Sequence, residues 1–593
     1  MIGRFEDLYG NSRRRFLDVS EVHMRYRKTS WAPALGALLC LFAIMGVGTA
    51  RAATSAPEIT LRVMPAQQLG DLPRIYRPSV MMAWADAEAV NAFLSLPGPL
   101  GAVRVTLEPL LTEASSLADF KARLAREAGG LKRVAERGAD IIIMVARMPR
   151  WLAARAGDAS LGQSGWTVRE ASPPRDYAGL EELGFAIATT INREHGFAPW
   201  YEFWNEPESK SFWSGSSDEL FRAYDAFARG ARRADPAAKV GGIAVSGWNE
   251  RREGEPSGTP PMLRAFIERA ARGMPLDFVS WHNFGLHPEE GWLGAVTVRE
   301  WLRASGLPPQ TPQFVTEWNR WRTFPEWVDP GRDTTEGAVF LLAALEPIEG
   351  AGIRGHTFAA LQDFHSMVEN TAFSGDFGLV TREPMIRKAS FCAMQMLARL
   401  GSNRIAVEPV PDITAAEGVG VLATATPERI AILVYRYGRD PRVAAFRSLR
   451  QSGIQPRFED LGLTQKEVEA FVSRKANLPA GRATPAVQAA LERARAVLER
   501  VRDVPAPEVV VRPVVDGLAT GGKYRLYWLD DLNCNPGAVY RKHRREGRPH
   551  GEALAAARIA EAFKPQQEGS GPLPSLRFAA QGAVLIEIDR AGR

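Results

Sequence analysis

The stretch Trp200–Pro207, WYEFWNEP, decides how the chain is read. A short aromatic run of this kind predicts a buried strand, and Asn205-Glu206-Pro207 predicts a turn directly after it. A carboxylate at that junction, Glu206, needs a reason to be there. Seven further runs share the design: SVMMAW from Ser79, GAVRVTL from Gly101, DIIIMVARMP from Asp140, KVGGIAVSG from Lys239, DFVSWHNFG from Asp277, QFVTEWN from Gln313 and GIRGHTFAAL from Gly352. Between them lie amphipathic segments, among them Tyr177–Glu194, Asp218–Arg233 and Thr335–Glu346. Eight strands alternating with helices over about 320 residues predict a closed (β/α)8 TIM barrel. We place it at residues 78–396. An open doubly wound sheet would carry a glycine-rich phosphate turn after its first strand, and SVMMAWADAEAV has none.

Beyond residue 397 the pattern changes. VGVLATATPERIAILVYRYG, YRLYWLDDLN and GAVLIEIDR alternate as antiparallel strands do. Residues 397–593 therefore predict a β-sandwich domain, interrupted at about 446–506 by a charged helical insertion that is expected to be an exposed hairpin. Residues 54–77 form an N-terminal strand segment ahead of the barrel.

The chain has 593 residues and a net charge of +6, but its first 53 residues hold eight Lys/Arg against four Asp/Glu. The remainder is close to neutral and carries no nucleic-acid footprint. Met24–Ala53 combines a basic start, an apolar run from about Trp31 to Val47 and a small-x-small site at Ala50-Arg51-Ala52. This is the pattern of a secretory signal peptide. Residues 1–53 are thus expected to direct export to the periplasm or beyond, with no stable membrane anchor after cleavage. Ser12–Asp18, SRRRFLD, resembles a twin-arginine motif, but acidic residues and a long gap separate it from the apolar run, which favours Met24 as the start. Cys40 follows Leu39, not a small residue, so no lipoprotein anchor is expected. Cys392 and Cys534 remain, either as a disulfide or as two buried thiols. The eight His show no ligand spacing, and neither a metal nor a cofactor is expected.

Glu206 ends the fourth strand, and Glu317 follows Phe314-Val315-Thr316 on the seventh. In a (β/α)8 barrel both lie where strands end and functional loops begin, facing one another across the mouth. A lone glutamate there is usually a salt bridge or a helix cap. Two facing ones suit glycosidic bond cleavage: one carboxyl protonates the leaving oxygen while the other, ionised, attacks the anomeric carbon. Their local fields must differ so that their pKa values separate. Asn205 is placed to hydrogen-bond a sugar hydroxyl, and Arg104, ending the second strand, to keep Glu317 ionised.

At these residues the chain resembles glycoside hydrolase family 39, which contains β-xylosidases, α-L-iduronidases and bacterial exopolysaccharide hydrolases. YEFWNEPESKSFWSG resembles the family's acid/base segment and FVTEWN its nucleophile segment, which implies Glu206 as acid/base and Glu317 as nucleophile. MPRWLA, FGLVTREPMIRKASFCAMQMLARLG and WLDDLNCNPGAVYRKHRREGRP resemble the third strand end, the barrel-closing stretch and a C-terminal sandwich segment. The resemblance implies a retaining hydrolase with a carbohydrate substrate, and the signal-peptide pattern adds the expectation that it is secreted. The chain also departs from the family: Arg104-Val105-Thr106 lacks its Arg-aromatic-His, His282 is followed by Phe284 where the family has Tyr, and His356 takes the place of a tryptophan platform. His282, Trp318, His356, Trp151 and Trp213 complete the expected substrate-binding set. These departures motivate the alternative of a non-catalytic carbohydrate-binding protein on a hydrolase scaffold, against which the two opposed carboxylates argue.

Overall fold

The computed structural model describes residues 56–590, apart from 162–164, 247–260, 286–287, 289, 322–328, 365–371, 412–417, 438–448, 450–462, 464, 474–476, 479–480, 482, 504–507, 519–521 and 580. The expected export region, 1–53, lies outside the described residues. Strand β1 (Glu58–Asp71) comes first. Then β2 (Val80–Met81), β3 (Ala102–Thr106), β4 (Asp140–Val145), β5 (Trp200–Phe203), β6 (Lys239–Val245), β7 (Phe278–Gly285), β8 (Gln313–Arg320) and β9 (Gly355–Phe358) close into a parallel barrel in chain order. Each coincides with one of the eight runs read from the sequence.

Side-chain alternation explains the composition of these strands. Trp200 points into the barrel and packs with Phe278 and Phe314, at ring separations of 5.5 and 4.9 Å, to plug its lower end. Tyr201 and Phe203 point outward onto Phe227. That ring belongs to the helix Ser217–Ala234, which starts with a reciprocal cap between Ser216 and Glu219 and buries Leu220, Tyr224, Phe227 and Ala231. Each such large apolar side chain contributes roughly 1.5–3 kcal/mol by leaving water. The neighbouring helix Tyr177–Ala188 lies so close that a Cβ at Gly230 would fall 1.8 Å from the carbonyl oxygen of Glu181. No larger residue fits that crossing.

The second unit is one sheet curled on itself. Strands β10 (Asn403–Val410), β11 (Val419–Ala425), β12 (Arg429–Arg436), β13 (Val509–Val515), β14 (Lys523–Leu529), β15 (Gln567–Ser570), β16 (Leu576–Phe578) and β17 (Gly582–Asp589) take the order β15-β14-β17-β12-β11-β10-β1-β13-β16. Residues from both halves share one core, with Ile59, Ile432, Val511, Leu526, Leu576 and Ile586 all buried in it. That is the expected sandwich, made by folding a continuous sheet. Strand β1 is an interior strand of that order, seventh of nine, antiparallel to β10 and parallel to β13. The inserted helices Gln465–Val472 and Pro485–Asp503 pack on each other around Val468, Phe471, Leu491 and Ala494, in a core separate from the other two.

The sheet unit reaches back to the barrel rim. Cys392 and Cys534 form a disulfide with Cα atoms 6.3 Å apart, which settles the choice the sequence left open. Asn535 donates to Thr335, whose hydroxyl donates to the carbonyl of Asp530, at 2.7 and 3.0 Å. Tyr540, Ala553 and Ala557 pack on Ala372 and Phe373 of the loop after β9. In that same loop Lys388 is fully buried between Asp333 and Asp363, at 2.7 and 2.6 Å. The disulfide closes a 142-residue separation, so Cys392→Ser/Cys534→Ser is expected to cost about 2–4 kcal/mol. A lowered denaturant midpoint against the parent under oxidising conditions checks this, and an unchanged midpoint would contradict it.

Candidate active site

The site is built around one side chain. Arg104 points inward from β3, fully buried, and its guanidinium is divided among three oxygen-bearing side chains. Nε donates to Glu202 Oε2 at 2.6 Å, Nη2 to Asn205 Oδ1 at 2.8 Å and Nη1 to Glu317 Oε1 at 2.5 Å. Glu202 is completely buried, two residues beyond Trp200 on the inward face of β5. A fully buried guanidinium requires such compensation, because an unpaired one would be far too costly.

Glu206 lies one turn beyond β5. Both Trp204 and Glu206 take left-handed backbone conformations, φ 72° and 47°, which are strained for residues other than glycine. Packing enforces them. The Trp204 indole donates to the carbonyl of Phe212 at 2.9 Å and meets Trp213 edge-on at 4.8 Å, and the Glu206 amide donates to the carbonyl of Ala244 at 3.0 Å.

His282, inward from β7 and fully buried, sits between the two carboxylates. Its Nδ1 is 2.8 Å from Glu206 Oε1 and its Nε2 is 3.7 Å from Glu317 Oε1. One ligating atom from each of the three residues lies within 4.8 Å of the others. By number and kind these atoms could hold a cation, a grouping that sequence spacing could not reveal. The Arg104 guanidinium against Glu317 opposes a cation at that oxygen. Side-chain exposure is 20% for Glu206 and 12% for Glu317, so both still reach the mouth.

Burial raises the Glu317 pKa above the usual carboxylate value, against the pull of His282 and Arg104 and with help from Glu206. Burial lowers His282 to about 4, so the imidazole is neutral at pH 7. Glu208, two residues after Glu206, is pushed up to about 8 by burial and by the nearby Glu206 charge, and it accepts from the amide and hydroxyl of Ser246 at 2.5 and 2.9 Å. At neutral pH Glu208 is thus held largely in its protonated form.

The structure thus brings together Glu206, Glu317, Asn205, Arg104 and His282. The expected aromatic set does not join them. Trp318 follows the inward Glu317 and so points outward, 2% exposed, against Phe358 and Phe340. His356 also faces the helix layer: it accepts from the Trp318 indole at 3.0 Å and its Nε2 lies 2.9 Å from the carbonyl oxygen of Ile75. It cannot replace a sugar platform. Trp213 is completely buried, with its indole donating to the carbonyl of Ser216 at 2.9 Å, and is a packing residue. Trp151 packs half-buried on the barrel core.

The partly exposed rings near the mouth are others. Phe284 stands two residues beyond His282 on the same strand face, one step further out. It clusters with Trp84 and Phe364 around Met81, Ala83, Ala359 and Ala360. Opposite in kind is the group after β3 and β4, where Arg147 bonds Glu108 and lies 3.5 Å from Glu170 and 5.1 Å from the Trp166 ring centroid. Glu202 was legible as the inward neighbour of Trp200. Trp84 and Phe364 had no sequence signal beyond lying after a strand.

Three comparisons bear on this geometry. The sequence profile of Glycosyl hydrolases family 39 matches residues 148–437. A β-xylosidase of Geobacillus stearothermophilus is 29% identical over 258 residues, 39% of this chain and 48% of that protein. A β-xylosidase of Caldicellulosiruptor saccharolyticus is 26% identical over 257 residues, 40% of this chain and 49% of that protein. The chain therefore spans about half the length of the curated relatives it matches. Among solved structures, a monomeric β-xylosidase from Caulobacter crescentus superposes with a TM-score of 0.61 at 18% identity, covering 89% of this chain and 99% of that one. A family 39 enzyme from Xanthomonas axonopodis gives 0.61 at 18% identity, over 90% and 97%. At that identity the superpositions establish the shared architecture of barrel and β-sheet unit. The profile match, over most of the barrel, makes this chain similar to glycoside hydrolase family 39.

Proposed function

We propose that the protein is an exported, retaining glycoside hydrolase that releases a β-xylose-like sugar by double displacement. The observation that carries the proposal is the pairing of Glu206 and Glu317 across the mouth, with carboxylate oxygens within 4.8 Å. Retaining glycosidases hold their carboxyl groups about 5–5.5 Å apart, whereas inverting ones leave about 6.5–9.5 Å for a water. The β-xylosidases among its relatives support the sugar, and the basic-apolar-small pattern of Met24–Ala53 supports export.

In the first step Glu317 attacks the anomeric carbon while Glu206 protonates the leaving oxygen. Arg104 holds one Glu317 oxygen by a charge-assisted hydrogen bond and leaves the other for attack. The neutral His282 carries one ring proton. With that proton on Nε2, directed at Glu317, Nδ1 accepts from the protonated Glu206, and this arrangement favours an acid at 206 and an anion at 317. In the second step Glu206, now ionised, deprotonates the water that releases the sugar.

An aryl glycoside panel, including β-D-xyloside and α-L-arabinoside, tests the activity, with Glu317→Ala as the blank. Glu317→Ala is expected to lose at least about a thousandfold in turnover while remaining folded at a lowered melting temperature, because buried Arg104 loses one partner, and near-parental turnover would reject the assignment. Glu206→Ala is expected to keep more activity on an activated aryl glycoside than on an alkyl one, because a good leaving group needs no proton. Equal losses on the two would count against the acid role.

The pH dependence follows from the burial of Glu317. Its conjugate base is the active form, so turnover falls as pH drops through a pKa that lies above the usual carboxylate value. Arg104→Met removes a neighbour that lowers this pKa, so the acid limb of kcat/KM should move to higher pH. A limb that stays in place or moves down would show that Arg104 does not set the charge of Glu317. Amino-terminal sequencing of the exported protein should begin directly after the Ala50-Arg51-Ala52 site, and a retained apolar segment would refute cleavage there.

A further inference from the structure

The helical hairpin made by Pro536–Arg545 and His550–Ala560 carries a charge that the site does not use. Residues 536–564 hold seven Lys/Arg against three Asp/Glu. The remainder of the chain beyond residue 53 is slightly acidic, so this surplus is concentrated here. Lys542, Arg544, Arg545 and Arg548 are all exposed. The side chains of Lys542 and Arg545 have no partner among the described residues. Arg548 meets Glu552 at 3.6 Å with both side chains more than half exposed, a pairing of little strength in water.

A helix C-terminus attracts cations through its dipole, but that dipole amounts to about half a charge. Four clustered cations exceed what it compensates, and they repel one another. Their surplus is matched to an external polyanion.

The position of the hairpin narrows the choice. Arg541, on the same helix, donates to the carbonyl of Pro330 and to Asp333 Oδ2, each at 2.7 Å. A Cβ at Gly537 would come within 2.1 Å of the Asp333 carbonyl oxygen, so the helix lies directly on that turn. Pro330–Asp333 follows β8, the strand of Glu317, on the face where the barrel strands end. The cations therefore flank the mouth beside the seventh and eighth barrel strands.

We infer that this basic ridge is a secondary docking surface for an acidic polysaccharide, a chain bearing carboxylate groups that runs past the barrel mouth. The inference takes from the proposed glycosidase activity only that the polymer is a glycan.

The test measures binding by residues 54–593 carrying Glu317→Ala, so that the polymer is not cut. Polygalacturonate is the acidic probe and dextran the neutral one, by isothermal titration at low and high sodium chloride. The structure leads us to expect binding to polygalacturonate and none to dextran. Raising salt from about 50 to about 300 mM, or reversing the ridge with Lys542→Glu/Arg544→Glu/Arg545→Glu, should each weaken it about tenfold or more. A melting temperature checks the reversed variant, and Lys542→Gln/Arg545→Gln replaces it if folding fails, with a smaller loss expected in the same direction.

No binding to polygalacturonate, or equal binding by parent and ridge variants, would overturn the inference. Binding to phosphatidylglycerol vesicles but not to polygalacturonate would overturn it too, because the ridge would then serve an anionic lipid surface. Parental silence on every aryl glycoside would sink the catalytic proposal and leave this binding result standing.

Discussion

The interaction on which the structure depends is the buried guanidinium of Arg104. It places a positive charge inside a barrel otherwise filled by Trp200, Phe278 and Phe314. Taking that charge out of water costs several kcal/mol, which only well-placed anions and acceptors offset. Glu202 neutralises it from below, Asn205 fills a third direction and Glu317 takes the remaining donor at the mouth. The same bonds that make the charge tolerable fix the position of Glu317 and connect it to the start of the Glu206 turn through Asn205. Stability and positioning are one arrangement here. Loss of any partner would leave a buried charge exposed to its neighbours' fields.

The second unit matters to the site through the rim. The loop after β9 carries Phe364 beside Trp84, and further along it Lys388 binds Asp333 and Asp363. Its outer side is covered by Tyr540, Ala553 and Ala557. Arg541 reaches the same Asp333 from the hairpin. The loop is thus held between the barrel and the C-terminal helices, which explains why a barrel of this kind carries a sheet unit with a disulfide back to its own helix Ala389–Ala398. The rings of Phe284, Trp84 and Phe364 cluster beside the mouth, and Trp84 adjoins the buried ion-paired group of Glu108, Arg147 and Glu170.

The barrel was legible because parallel strands buried on both faces read as largely apolar runs, interrupted in β3, β5, β7, β8 and β9 by polar residues such as Arg104, Glu202, His282, Glu317 and His356. The carboxylate pair was legible because strand ends carry function in this architecture. The tryptophans were not. Side-chain direction is periodic within a strand but not beyond it, and the left-handed turns at Trp204 and Glu206 redirect the chain so that Trp213 is buried. Trp318 was misplaced for the opposite reason: it lies within β8, where the inward Glu317 dictates that its neighbour points out. His282 had a strand position but no visible partners, since Glu206 and Glu317 are distant in sequence. The interior place of β1 in the second sheet was equally hidden, because its pairing with β10 and β13 is set by tertiary packing of segments more than 300 residues away.

The central claim is that Glu317 becomes covalently attached to the sugar. The most direct measurement is mass spectrometry of peptides after reaction with an activated 2-deoxy-2-fluoro-β-xyloside, whose glycosyl-enzyme hydrolyses slowly. The account predicts a gain of one fluoropentosyl group on the peptide carrying Glu317, with activity lost in step with labelling. Labelling at Glu206 in place of Glu317, or turnover of the corresponding xyloside to an inverted anomer with no labelled peptide, would contradict it.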